Sequence, residues 1–199
     1  MGPGELSAIV LAAGSGSRFG GGKLVAPWRG GRLIGGALAA AFAAPVREVV
    51  VVTGADPVVR RAAEEWAKAH GQTSRLRLIH AADHSEGMGA SLRAGVSALG
   101  SGCGGVFVFL GDMPSVPHGV SHALASALTA GMLAAAPQFH GRRGHPVLFG
   151  APLLPLLSAA KGDQGAREAL QDLDERLALI DWPDSGVVFD VDRPADLER

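Results

Sequence analysis

Cysteine, lysine and net charge are all scarce in this sequence, and the shortages exclude several kinds of site and partner. The single cysteine, Cys103, excludes an internal disulfide and a metal site built from several cysteines. A formal net charge of −1 provides no electrostatic attraction to nucleic acid or to a membrane surface. We therefore expect neither nucleic acid nor a membrane as a partner.

Long apolar runs are missing as well. No stretch reaches the roughly 18 apolar residues that a membrane-spanning helix needs, and the first apolar run begins too early to leave room for a signal peptide. Hydrophobic residues make up 47% of the chain and charged residues 19%, which is typical of a folded globular protein. These features predict a cytoplasmic protein with a substantial core.

Strand-like and helix-like patterns alternate along the chain. Strands are predicted at residues 8–11, 49–52, 76–79, 106–110 and 132–136, with a last one from Val187 into the acidic pair Asp190 and Asp192. Helices are predicted at residues 33–43, 57–69, 90–99, 120–130, 151–160 and 164–173, and a hairpin with a basic tip at 138–149. This alternation predicts an α/β fold, three-layer and Rossmann-like, with a mainly parallel sheet and helices on both faces. No linker or repeat divides it, so we expect a single domain over residues 1–199.

The stretch from Leu11 to Lys23 is the most informative part of the sequence. It follows the first predicted strand and holds five glycines, with Arg18 and Lys23 beside them. Glycine allows a backbone that presents its N–H groups, and such groups next to two cations suit a phosphate chain. Open α/β folds bind their ligands at this position. The alternative is a mobile connection with two solvated charges.

The spacing in this stretch separates three phosphate-loop patterns. A P-loop needs Ser or Thr after its lysine, whereas Lys23 is followed by Leu24. The dinucleotide fingerprint G-x-G-x-x-G has Phe19 at its third glycine position. The pattern Leu-Ala-Ala-Gly-x-x-x-Arg-x-Gly-x-x-Lys fits every fixed position.

That third pattern resembles the signature loop of the Rossmann-like nucleotidyltransferases, above all the molybdenum cofactor cytidylyltransferases and their guanylyltransferase relatives. The resemblance continues along nearly the whole chain in short motifs: Val52-Thr53-Gly54, Gly87 with Ser91-Leu92 and Gly95, Gly111-Asp112-Met113-Pro114, Gly144-His145-Pro146, Gly162-Asp163-Gln164-Gly165-Ala166-Arg167 and Asp190-Val191-Asp192-Arg193-Pro194. Gly-His-Pro followed by Gly-Asp-x-Gly-Ala-Arg is typical of the cofactor branch. It implies a nucleotide-binding half at residues 1–115 and an acceptor-binding half at 116–199.

The resemblance also implies a reaction. CMP, or GMP, would move from a nucleoside triphosphate to the phosphate of a molybdopterin-type cofactor, with release of pyrophosphate. Arg18, Lys23 and Asp112 would be catalytic, the two cations by neutralising the leaving pyrophosphate. Asp112 and Asp192 would hold Mg²⁺, which prefers carboxylate oxygens, whereas Asp190 would be a solvated acid. The partners would be the nucleoside triphosphate, the phosphorylated pterin and a molybdoenzyme that receives the product.

Nucleotide contacts are expected from the glycine-rich stretch and from the start of a later helix. The residues that would make them are Leu11, Ala12, Ala13, Gly14, Gly16, Arg18, Lys23, Gly87, Ser91 and Asp112. The acceptor phosphate would meet Arg142, Arg143, His145 and Arg167, although a solvated hairpin tip explains the arginine pair slightly better. Gly16 stands where the cofactor enzymes commonly have serine, which leaves CTP and GTP both open.

Two functions of other classes remain open. An NAD(P)H-dependent oxidoreductase of a heteroaromatic compound would use the same glycine-rich loop, but would give no role to Lys23, Asp112 or Asp192. A cofactor-binding chaperone would hold the same ligands without turnover.

Overall fold

The structure is a computed structural model that describes residues 5–54, 56–162 and 166–198. Its strands are β1 (Leu6–Ala12), β2 (Pro27–Trp28), β3 (Gly31–Arg32), β4 (Val49–Thr53), β5 (Leu76–His80), β6 (Gly105–Leu110), β7 (Ala134–Phe139), β8 (Arg142–Arg143), β9 (Val147–Gly150) and β10 (Leu177–Asp181). Within the described residues, eight strands form one sheet in the order β10-β7-β9-β6-β1-β4-β5, with β8 beside β7, while β2 and β3 form a separate hairpin.

The sheet is mainly parallel. Strands β5, β4, β1 and β6 run in one direction next to each other, and β10 is parallel to β7. Strand β9 is antiparallel to both β6 and β7, and β8 is antiparallel to β7. The central strands consist of apolar and β-branched residues because helices cover both of their faces.

The helices are α1 (Ile34–Ala43), α2 (Pro57–Ala69), α3 (Met88–Ser97), α4 (Val120–Ala127) and α5 (Leu154–Ser158). Two apolar clusters lie on opposite faces of the sheet. One takes in α1, α2 and α4, and the other α3 and α5. The predicted three-layer α/β architecture is therefore confirmed. None of the helices in the described part of the chain is long and apolar enough to cross a membrane.

The start of α2 shows how the sequence specifies these elements. The side chain of Asp56 accepts a hydrogen bond from the Val58 amide at 2.9 Å, and Pro57 occupies the first helical position. Both features satisfy or remove donors that the first turn of a helix leaves unpaired, and such a cap contributes about 1 kcal/mol.

Several predictions for the second half of the chain are wrong. The run that begins at Val187 is not a strand: residues 185–188 form a 3-10 turn, in which Val187 is fully buried and its carbonyl accepts from the His145 amide at 2.7 Å. The strand in this region is β10, which the sequence reading missed.

The helical segments of that half are shorter than predicted. Residues 151–160 contain a 3-10 turn followed by the short α5, and α4 ends at Ala127. Of the predicted helix at 164–173, the described part contains a 3-10 turn at Glu168–Leu170. Asp163, Gln164 and Gly165 of the glycine-rich motif lie outside the described residues.

The topology places three loops side by side at one edge of the sheet. Strand β1 is central, with β4 on one side and β6 on the other, all three parallel. Successive strands are therefore added first on one side of β1 and then on the other. Open α/β folds form a ligand crevice at such a position. The loops after β1, β4 and β6 all lie at this edge.

Candidate active site

The glycine loop, defined as residues 13–23, folds back on itself directly after β1. Gly16 and Gly22 have φ angles of +61° and +63°, a left-handed backbone that favours glycine, and each begins a short 3-10 turn. The carbonyl of Gly16 accepts from the Phe19 amide at 2.9 Å. A Cβ at Gly16 would lie 3.1 Å from the Cβ of Lys23, so glycine lets the two turns pack closely.

Glycines in the neighbouring loops permit equally close approaches. A Cβ at Gly54, after β4, would lie 2.7 Å from the carbonyl oxygen of Ala13. A Cβ at Gly111, after β6, would lie 3.0 Å from the carbonyl oxygen of Leu11. Glycine at these two positions lets the flanking loops pack against the end of β1 and the beginning of the glycine loop.

Four charged side chains meet at this edge and form the ion cluster: Arg18, Lys23, Asp112 and Asp192. The Nζ atom of Lys23 lies 2.7 Å from Asp112 Oδ2 and 3.5 Å from Asp192 Oδ1. A guanidinium nitrogen of Arg18 lies 3.5 Å from Asp192 Oδ2. The Lys23 side chain is only 13% exposed, whereas that of Arg18 is 78% exposed. The lysine is thus held between two carboxylates, and the arginine projects into solvent.

Backbone contacts fix both aspartates of the cluster. Asp112 follows β6, and its carbonyl accepts a hydrogen bond from the amide of the fully buried Val191 at 3.0 Å. The carboxylate of Asp196 accepts from the amides of Asp192 and Arg193 at 3.0 and 2.8 Å. These contacts place the end of the chain against the loop after β6.

A first cavity of 540 Å³ opens beside the ion cluster. Most of the residues predicted to contact a nucleotide line it, namely Leu11, Ala12, Ala13, Gly14, Gly16, Lys23, Gly87, Ser91 and Asp112. Arg18 and Asp192 are outside its lining and border it through the ion cluster. Met88, inside the predicted segment from Gly87 to Ser91, also lines it, as do His84, Ser85 and Leu110, which were not predicted. Their proximity to Gly87 and Asp112 in the sequence was the only available signal.

A second cavity of 910 Å³ adjoins the first, and Leu11, Met88 and Leu110 line both. Its polar lining consists of Arg142, Arg143, His145, Arg167, Gln171 and Asp190. The rest of its wall is largely apolar and includes Val108, Met113 and Val187. The basic side chains predicted to meet an acceptor are therefore gathered around one space.

Two groups in the second cavity have shifted pKa values. Burial raises the pKa of Asp190 above its usual value, and the negative charges of Asp192 and Asp112 raise it further. Burial lowers the pKa of His145, opposed by a backbone hydrogen bond with Val108 and by the charge of Asp112. Asp190 does not lie at the end of a strand, as the sequence predicted: it follows a 3-10 turn, and its side chain is 42% exposed and lines the cavity.

The aspartates of the ion cluster are the residues that could hold a divalent metal. No group of three His, Cys, Asp or Glu side chains with metal-binding geometry occurs among the described residues. Two carboxylates that already share one cation, Lys23, nevertheless supply the oxygen ligands that Mg²⁺ or Mn²⁺ prefers, and water can complete the coordination. The donor set fits such an ion.

Solved structures with the same fold include nucleotidyltransferases. A nucleotidyl transferase from Methanothermobacter thermautotrophicus superposes with a TM-score of 0.77 at 24% identity, over 98% of this chain and 95% of that one. The Mycobacterium tuberculosis protein Rv0371c, solved in complex with manganese, superposes with a TM-score of 0.77 at 22% identity, over 98% and 97%. Identities at this level establish the fold alone.

Three curated relatives match along nearly their whole length. Nicotine blue oxidoreductase of Paenarthrobacter nicotinovorans is 32% identical, over 98% of this chain and 95% of the relative. Purine catabolism protein PucB of Bacillus subtilis is 30% identical, over 97% and 94%. Molybdenum cofactor cytidylyltransferase of Escherichia coli is 27% identical, over 96% and 93%.

A family model identifies what these proteins have in common with this chain. The model of the MobA-like NTP transferase domain matches residues 8–177, which include the glycine loop, Asp112 and most of the sheet. The chain belongs to the MobA-like NTP transferase family.

Proposed function

We propose that this protein is a divalent-metal-dependent nucleotidyltransferase that moves CMP, or GMP, to the phosphate of a molybdopterin-type cofactor and releases pyrophosphate. The observation that carries the proposal is the ion cluster beside two adjoining cavities. Asp112 lines the first cavity and Asp190 the second, while Lys23 contacts Asp112 at 2.7 Å. A transfer between two bound substrates needs such charges where the substrates meet.

The nucleoside triphosphate would occupy the first cavity. Backbone groups of Leu11–Ala13 and the segment from Gly87 to Ser91 would contact the base. Amide groups of the glycine loop, Lys23 and Arg18 would receive the phosphates, because backbone N–H groups and cations stabilise the charge that develops on the leaving pyrophosphate.

The carboxylates of Asp112 and Asp192 would hold Mg²⁺, which supplies charge neutralisation at the phosphates. Lys23 would then exchange its carboxylate contacts for a phosphate. The manganese complex of the Mycobacterium tuberculosis neighbour supports a divalent ion in this fold.

The acceptor would occupy the second cavity with its phosphate toward the ion cluster. Arg142, Arg143 and Arg167 would bind its negative charge, since the planar guanidinium group suits phosphate. An acceptor oxygen would attack the α-phosphorus in line, the bond from the α-phosphorus to the bridging oxygen would break, and pyrophosphate would leave with the electron pair. The attacking phosphate oxygen is already ionised, so positioning and charge neutralisation suffice.

The organisation of the chain follows from this proposal. Residues 1–199 would act as one domain in which residues 1–115 bind the nucleotide and residues 116–199 bind the acceptor. The reaction would take place in the cytoplasm, and a molybdoenzyme would take up the product.

The relative named nicotine blue oxidoreductase supports a second candidate, an NAD(P)H-dependent oxidoreductase of a heteroaromatic substrate. Such an enzyme could use the glycine loop and the apolar wall of the second cavity. It would need no carboxylate pair next to Lys23, and its cofactor would bind without a divalent ion. The dependence of ligand binding on metal therefore separates the two candidates.

A thermal-shift panel of CTP, GTP, ATP, UTP and NADPH, each with and without Mg²⁺, tests the proposal. A ligand at about 100 times its dissociation constant adds roughly 2.7 kcal/mol of stability. Stabilisation by CTP or GTP that requires Mg²⁺, persists in Asp181→Asn and disappears in Asp112→Asn is the expected result. Asp181 is the matched control because it lies at the end of an edge strand, where it bonds to Gln138. Stabilisation by NADPH alone, independent of metal, would contradict transfer and support the second candidate.

A further inference from the structure

A contact between two aromatic rings links the segment after the glycine loop to the acidic loop, defined as residues 189–193. The ring of Trp28 lies 6.1 Å from that of Phe189, centroid to centroid, with an interplanar angle of 30°. We propose that Phe189, through Trp28, is a positioning residue that holds Asp192 in the ion cluster. This inference rests on the proposed function, in which Asp192 is a metal ligand.

Trp28 is a fixed support for this contact. It is only 7% exposed and belongs to the apolar cluster that covers one face of the sheet. It pairs with Gly31 in the small β2–β3 hairpin, and the guanidinium group of Arg29 lies 5.0 Å from the centre of its ring. The partner ring, Phe189, is only partly buried and packs against the same cluster. The contact thus connects the acidic loop to the apolar cluster on one face of the sheet.

The backbone of the acidic loop connects Phe189 to the ion cluster over three residues. Val191 is fully buried, and its amide donates to the Asp112 carbonyl at 3.0 Å. The next residue is Asp192, whose carboxylate contacts Lys23 and Arg18. A shift of the loop at Phe189 would therefore move the Val191 amide away from Asp112 and the Asp192 carboxylate away from the cluster.

Charge distinguishes this ring contact from the side-chain contacts of Asp192. The side-chain contacts of Asp192 with Lys23 and Arg18 are ionic, at 3.5 Å each. In the proposed reaction these contacts must change, because Lys23 and Arg18 would bind phosphate and the Asp192 carboxylate would bind the metal. The ring contact carries no net charge, so neither salt nor a bound phosphate weakens it. It can keep Asp192 in place while its ionic partners change.

The test compares Phe189→Ala with Phe189→Tyr, which restores an aromatic ring, and with Phe139→Ala. Phe139 is a matched control because it is also partly buried and also packs against one ring, that of His140, in the β7–β8 hairpin. The first readout is hydrogen exchange of the Val191 amide without any ligand. The second is the affinity for Mn²⁺ in the presence of CTP, measured by electron paramagnetic resonance.

In Phe189→Ala we expect faster exchange at Val191 and about 10-fold weaker Mn²⁺ binding, the lower end of the loss seen when groups that orient a metal ligand are changed. Phe189→Tyr should restore both, and Phe139→Ala should resemble the wild type in both. Unchanged exchange at Val191 in Phe189→Ala, or equal effects in Phe139→Ala, would overturn the inference. If the wild type binds no Mn²⁺ with CTP, Asp192 is no metal ligand, and the proposed function fails with it. The exchange result would still show whether Phe189 positions the loop.

Discussion

The two cavities share part of one wall but are built from different kinds of structure. The first lies at the carboxyl ends of the parallel strands β1 and β6, and its lining includes Gly14, Gly16 and Gly87, which present only backbone to it. The second lies against the antiparallel strand β9 and the turns around it, and its polar groups are side chains, three of them arginines. A backbone lining suits a ligand part common to many substrates, whereas a side-chain lining can be changed residue by residue.

This difference suggests how the three relatives, whose names indicate different activities, can share one fold. Proteins of one family can retain a phosphate site that depends on backbone geometry and alter the opposite cavity by substitution. We therefore expect changes on the first-cavity side to affect all turnover, and changes on the second-cavity side to affect the acceptor selectively.

The largest effect is expected from Asp112→Asn. This change retains an oxygen that can accept a hydrogen bond from Lys23 but removes the negative charge that would hold the metal. We expect kcat for nucleotide transfer to fall by about 100- to 1,000-fold, the range seen when one preorganised electrostatic group is removed. Steady-state kinetics check this against Asp181→Asn, and equal turnover in the two variants would rule out the role of Asp112.

The second cavity should respond differently to the loss of charge. We expect Arg142→Ala to raise KM for the acceptor by about 10- to 100-fold, the value of one hydrogen bond to a charged group, and Arg143→Ala to do the same. Both should leave KM for CTP unchanged. The control is Arg60→Ala, which removes an exposed arginine paired with Glu64 on α2. A rise in KM for CTP in the Arg142 variant would show that the cavities do not separate the two substrates.

Glycine substitutions compare the two cavities through their effects on thermal stability and on CTP binding. A Cβ at Gly144 would lie 2.1 Å from the Val187 carbonyl oxygen, so Gly144→Ala should cost about 1–3 kcal/mol. A Cβ at Gly14 would meet nothing within 4 Å, so Gly14→Ala should fold with a nearly unchanged Tm but bind CTP more weakly. Thermal melts and CTP titrations measure both effects. A large loss of Tm in Gly14→Ala would contradict this account.

The smallest effect is expected from the titration of His145. Burial lowers its pKa, so the unfolded chain takes up the proton first as pH falls below the usual histidine value. Stability is lost as pH falls from there toward the folded-state pKa, with a slope of at most about 1.4 kcal/mol per pH unit. In His145→Gln this loss is absent, so its Tm deficit relative to wild type should narrow between about pH 7.5 and 5. Parallel Tm curves for the two proteins would show that His145 is not kept neutral by burial.

The sequence predicted the first half of the fold well because its signals are local. The apolar runs that became β1, β4 and β6, and the Asp56-Pro57 start of α2, need no distant partner to be recognised. Val187 shows where such signals fail. Its apolar run looks like a strand, but its carbonyl pairs with the His145 amide in a turn rather than in the sheet.

The candidate site was predictable to a similar extent. The spacing from Leu11 to Lys23 predicted several of the residues that line the first cavity. The predicted carboxylates of Asp112 and Asp192 both lie within 3.5 Å of Lys23 Nζ. His84 and Ser85, which line the first cavity, were missed because their place depends on the short turn that precedes α3. The place of Asp190 in the wall of the second cavity was missed because it depends on the turn before it.

The most direct test of nucleotide transfer uses CTP labelled at the α-phosphate, Mg²⁺ and a molybdopterin acceptor. The account predicts that the label appears on the acceptor with release of one pyrophosphate per transfer, and that neither occurs with Asp112→Asn. GTP in place of CTP decides which nucleotide the first cavity prefers. Oxidation of NADPH with a heteroaromatic acceptor, without pyrophosphate release from either nucleotide, would contradict the account.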